Sequence, residues 1–180
     1  MSPEDIKNLT ETVASSIGTQ PINWLPLLLA ALLGSLVAFL PTFVLECYRD
    51  HKFSKRILIA LLAEISALIE IAERRKYQES IREVISYLAT QPEGTAYTFT
   101  VKVPDHYSRI FQSNCENIGA IKKEYAKKII QFHQLVDAVV QDIKPGGIVS
   151  NGATIEVFKE LDEIFTQALQ VGSELAAKKV

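Results

Sequence analysis

The chain has 180 residues, room for one domain of ordinary size and a short appendage. Nineteen basic residues stand against twenty-one acidic ones, and the net charge of −2 excludes a strongly basic nucleic-acid binder and a polyanionic tail. A hydrophobic share of 48 % and a mean hydropathy of +0.13 argue against disorder, and Cys47 and Cys115 are too few for a disulfide framework.

Residues 1–20 predict a short, outward-facing amphipathic helix. Ser2 is placed to cap it, Pro3 suits the first helical position, and Glu4 and Asp5 suit the positive end of the helix dipole. Ile6, Leu9, Val13 and Ile17 recur every three or four residues, and Gly18 and Pro21 end the pattern.

No charge occurs between Glu11 and Glu46. Residues 26–45 supply the roughly 20 apolar positions needed to cross a hydrocarbon core of about 30 Å. Trp24 and Tyr48 flank them where amphipathic rings favour the headgroup region. A transmembrane helix is therefore predicted over 22–47. It reads as an uncleaved anchor: Glu4, Asp5 and Glu11 outnumber Lys7 where a signal peptide would be basic, and no Ala-x-Ala exit follows. Only Lys7 precedes the span, whereas Arg49, Lys52, Lys55 and Arg56 follow it, which places the C-terminal side in the cytoplasm. Ala30, Gly34 and Ala38 recur every four residues and form a face on which two helix backbones can approach closely, so a homo-oligomer is expected. Pro41 should kink the helix.

Residues 48–180 predict a cytoplasmic helical domain. Leu58, Leu61, Leu62, Ile65, Leu68 and Ile69 form an apolar stripe that Tyr77, Ile81, Val84 and Leu88 continue, with no proline or glycine between Pro41 and Pro92. Glu64, Glu70, Glu73 and Arg74 are assigned to the other faces. Residues 57–71 are short for a second span and contain Glu64 and Glu70, so a bundle or interfacial helix is expected. Residues 97–103 alternate apolar and polar, which predicts a strand, with residues 147–150 its only candidate mate. A short helix through Tyr107, Ile110, Phe111, Asn114 and Ile118 should close at Gly119. A longer one follows from Ile121 to Ile143, stopped by Pro145, Gly146 and Gly147, and a last one runs from Ile155 to Leu175 and ends in Lys178 and Lys179. The predicted fold class is all-α: one N-terminal transmembrane helix continuing into a cytoplasmic antiparallel helical bundle, with at most one or two short β-strands.

Little chemistry is legible. There is no phosphate-binding glycine loop, and His51, His106 and His133 form no pair at metal-ligand spacing. His133 reads as a boundary residue of the bundle. No catalytic, cofactor-binding or metal-binding residues are assigned, and no cofactor is expected. Residues 107–119 are the least generic stretch, and Tyr107, Asn114 and Asn117 are its candidate interaction residues, although asparagines beside a helix junction also serve to satisfy backbone groups.

This stretch resembles one in small bacterial and phage-borne single-pass membrane proteins of unknown function, which share an N-terminal span, a helical continuation and a Tyr…Asn…Ile-Gly helix junction. The resemblance extends loosely over residues 24–143 and implies no activity. The location it suggests is a bacterial inner (plasma) membrane. The expected function is that of a membrane-anchored helical interaction or scaffold protein that self-associates. Its expected partners are the lipid bilayer, a second copy, and a cytoplasmic or membrane protein bound through the bundle, but no nucleic acid. The alternatives are a membrane-perturbing, pore-forming or toxin-like effector, and an enzyme whose site is not legible.

Overall fold

A computed structural model describes residues 3–16 and 24–178. Ser2, Ile17, Gly18, Pro21 and Lys179, which carry parts of the expected helix ends, lie outside the described residues. Those described are all-helical, with six α-helices and two 3-10 turns and no strand among them. They divide into two compact units, Met1–Tyr48 and Arg49–Val180.

The first unit holds helix α1 (Pro3–Ser16), with Glu4 and Asp5 in its first turn. Ile6, Leu9 and Val13 are all exposed. It also holds the start of α2 (Trp24–Arg74), a helix of 51 residues that contains Pro41 without ending there. Every described side chain from Trp24 to Phe53 is exposed.

The second unit carries the core. Ile57, Leu58, Leu61, Leu62, Ile65 and Ile69 of α2 are buried at spacings of one, three and four, which is one face of a helix. They pack with Ile129 and Phe132 of α5 (Lys123–Ile143) and Leu175 of α6 (Ile155–Ala176). A second cluster joins Ile81, Val84 and Leu88 of α3 (Tyr77–Leu88) to Val139 and Ile143 of α5 and to Phe158 and Leu161 of α6. Each such side chain contributes about 1.5–3 kcal/mol when fully buried. Gly172 of α6 sits against both other helices: a Cβ there would lie 2.6 Å from the Phe132 ring and 2.7 Å from the Ile69 side chain. Glycine weakens a helix interior by about 1 kcal/mol, and here it lets three elements meet.

Several expectations are corrected. The stripe from Leu58 to Leu88 is not one helix: α2 ends at Arg74, and Lys76 adopts the left-handed conformation (φ 53°, ψ 37°) before α3 begins. That conformation costs a non-glycine residue about 1–2 kcal/mol. The turn it makes allows α3 to bury Ile81, Val84 and Leu88 against α6, which outweighs the cost.

The alternating segment 97–103 is not a strand either. Its alternate N–H groups do find acceptors: Tyr97 donates to Ala153, Phe99 to Val149 and Val101 to Ile143. The three carbonyls belong to a loop, a 3-10 turn (Val149–Asn151) and the end of α5, so only the Tyr97–Ala153 pair forms a bridge. The helix expected through Tyr107 is shorter: α4 spans Arg109–Asn114 and gives way to a 3-10 turn, Cys115–Ala120, that contains Gly119. Gly119 therefore does not close a helix in the left-handed region, a conformation that Gly94, Gly146 and Gly152 do adopt.

Candidate functional site

The residues singled out by sequence fall in different places. Ala30, Gly34 and Ala38 belong to the first unit and are exposed, and a Cβ on Gly34 would meet nothing within 4 Å. In the second unit the Tyr107 hydroxyl donates to the Asp137 carboxylate of α5, tying the start of the 107–119 segment to that helix. Burial holds the Asp137 carboxyl above its usual range. Asn114 donates from Nδ2 to the Ile110 carbonyl at 2.8 Å, a local bond of the kind asparagine makes at helix ends. Asn117 is half-buried in the 3-10 turn. The structure thus brings Tyr107, Asn114 and Asn117 into one segment, with Tyr107 and Asn114 engaged internally.

Sequence reasoning missed the polar pair at the centre of that segment. Glu64 of α2, assigned to an outer face, is only 8 % exposed. Its Oε1 accepts the Ile110 N–H at 2.6 Å and its Oε2 the Phe111 N–H at 2.8 Å. These are the second and third helical positions of α4, the donors an N-cap side chain normally satisfies. Ser108, the residue at the cap, makes no such bond. A glutamate from another helix replaces it.

His133 of α5, expected at a boundary, is 1 % exposed. Its ring stacks on Phe111 with centroids 3.8 Å apart and meets Phe132 edge-on. Neither ring nitrogen has a hydrogen-bond partner, and Nε2 lies 3.9 Å from Glu64 Oε2, beyond hydrogen-bond reach. Burial pushes its pKa down from 6.5 to about 4, so the imidazole is neutral at pH 7. Both Glu64 oxygens are already committed to backbone donors, which blunts their pull on an imidazolium. The pair therefore caps a helix and fills the core.

A pocket of about 310 Å³ opens between α2, α5, α6 and the segment around residues 102–107. It lies where the two core clusters fail to meet: Ile69 and Phe132 line it from the first, Val139 and Ile143 from the second. These four are buried, whereas Ile71 is half exposed and Arg75, Lys102 and Pro104 are exposed. The apolar floor and cationic mouth are thereby defined. Closed and empty, such a cavity would cost about 7 kcal/mol at ~24 cal/mol per Å³, on the order of a whole domain's stability. The open mouth spares the fold that cost and leaves an apolar lining to water or to an occupant. No linear motif encodes this pocket, because its walls come from four separated segments.

Among the described residues no group of three or more His, Cys, Asp or Glu side chains comes together to hold a metal ion. No protein-family model matches the chain, and no curated protein or solved structure matches it.

Proposed function

We propose that this chain is a single-pass membrane protein, anchored by residues 22–47, whose helical domain is a cytoplasmic antiparallel bundle that serves as an interaction module. One observation carries the reading. A helix long and apolar enough to span a bilayer lies near the N-terminus and has none of its most apolar stretch buried within the chain. Leu33, Val37, Phe39 and Val44 are each more than 60 % exposed. Leaving such side chains in water forfeits about 1.5–3 kcal/mol apiece, which lipid restores. The second unit has its own core, as a domain carried by an anchor requires.

The basic residues that follow the span set the orientation. In bacterial cells a reporter fused after Val180 is expected to behave as cytoplasmic, and one fused before Ser2 as exported. Two cytoplasmic reporters would refute the single crossing, and reversed ones the orientation. Growth arrest with dye leakage on expression of the full chain would favour a pore-forming effector over an interaction module.

Self-association is assigned to the face of Ala30, Gly34 and Ala38. A Cβ added at Gly34 meets nothing within 4 Å beyond its own stretch of helix, so Gly34→Ile is directed at a partner helix. It is expected to weaken association within the membrane by about 1–2 kcal/mol, roughly tenfold, while Leu33→Ile leaves it unchanged. A two-hybrid assay confined to the bilayer measures both, and equal association of the two variants would remove this face from the interface.

A further inference from the structure

The pocket between α2, α5 and α6 combines an apolar floor with a cationic rim, and membrane anchoring and self-association make no use of it. Its floor is hydrocarbon at Ile69, Phe132, Val139, Ile143 and Ala168, the hydroxyl of Tyr107 is spent on Asp137, and the Tyr77 hydroxyl accepts from Arg75. An occupant must therefore be apolar along its buried length. The charged lining residues are Arg75 and Lys102, both basic and both exposed. Neither has an ion-pair partner among the described residues. Arg75 instead donates from Nη1 to the Tyr77 hydroxyl at 3.3 Å, which leaves most of its guanidinium donors unused. A molecule matching this site is polar and anionic at one end only. The volume of about 310 Å³ lies at the lower end of ligand pockets, which suits a small occupant. A single acyl chain is the simplest molecule of that form.

We propose that this pocket binds a free fatty acid of medium chain length, with its chain lying against α5 and α6 on the side that faces α2 and its carboxylate at Arg75 and Lys102. A guanidinium pairs with a carboxylate through two parallel hydrogen bonds, and the nearby ammonium adds charge. The assignment does not depend on whether residues 22–47 cross a bilayer, so the two readings fail separately.

The test uses the full chain in phosphatidylcholine nanodiscs with a photoactivatable diazirine analogue of dodecanoate, and mass spectrometry to locate the adducts. Adducts are expected within residues 68–75, 136–143 and 165–169, displaced by excess dodecanoate and about tenfold less well by dodecanol, which lacks the charge. Val136→Phe, which places a ring in the pocket, should abolish these adducts while leaving any on residues 26–45. Arg75→Glu with Lys102→Glu should weaken displacement by dodecanoate about tenfold and leave dodecanol unchanged. The charge-reversal pair decides the matter if Val136→Phe loses its native circular dichroism, because both basic residues are exposed. Adducts confined to residues 26–45, equal displacement by acid and alcohol, or charge reversal without effect would each overturn the proposal. Stronger displacement by lysophosphatidylglycerol than by dodecanoate would overturn the free acid in favour of a phospholipid.

Discussion

Glu64→Ala is expected to destabilise the second unit by about 3 kcal/mol, because two part-buried backbone N–H groups lose a carboxylate acceptor, at roughly 1.5–3 kcal/mol per bond. The effect should be local before it is global. Amide exchange at Ile110 and Phe111, which donate to the two carboxylate oxygens, should accelerate by about two orders of magnitude as the first turn of α4 frays. Glu64→Gln keeps one acceptor oxygen but turns an amide donor toward the other N–H, so it should fall between wild type and alanine. Glu70→Ala is the control. Its carboxylate pairs with Arg74 at 2.6 Å on the surface, with both side chains more than half exposed, and an exposed i,i+4 pair contributes about 0.5 kcal/mol. Equal losses for Glu64→Ala and Glu70→Ala, measured by chemical denaturation, would show that the cap is not a structural link between α2 and α4.

Acidification is expected to weaken the fold through His133. The folded chain keeps this imidazole neutral down to about pH 4, whereas the unfolded chain accepts a proton near the ordinary value of 6.5. Between those values the unfolded state binds more protons, so stability falls as pH drops through 6.5 and stops falling near 4. At about 1.4 kcal/mol per pH unit the full loss is about 3 kcal/mol, of which about 2 kcal/mol is reached by pH 5. Asp137 and Asp142 act with the opposite sign, since burial raises their folded values and favours the folded state as protons are added. His133→Phe separates the two contributions: it preserves the stack on Phe111, removes the titrating group, and leaves both aspartates in place. Denaturation at pH 7 and pH 5 should show the wild type losing about 2 kcal/mol more than the variant. Parallel losses in the two proteins would mean that the buried imidazole does not set the acid response.

The helices and the apolar stretch of residues 26–45 were legible in the sequence because each depends on neighbours along the chain. A charge-free run and a spacing of three and four are local properties, and they located the start of α2 and both ends of α5 and α6 within a few residues, but not the end of α2. The alternation of residues 97–103 reads as a strand, and although no strand forms, the N–H groups of Tyr97, Phe99 and Val101 do all find acceptors. Those acceptors were not legible, because they come from three different elements rather than one strand. The break at Lys76 carries no proline or glycine, and only the burial of α3 against α6 makes a left-handed lysine affordable. Glu64 reads as a solvent-facing acid and His133 as a boundary residue, because burial costs charged and polar groups dearly. The loose amides of α4 offset that cost for Glu64, and the ring of Phe111 gives His133 its neighbour. The pocket was the least legible feature, since a gap between two clusters exists only after the helices have packed and depends on how closely Gly172 lets them approach. Local periodicity decides which segments coil, and long-range packing decides which polar side chains are drawn inside and where space is left between the helices.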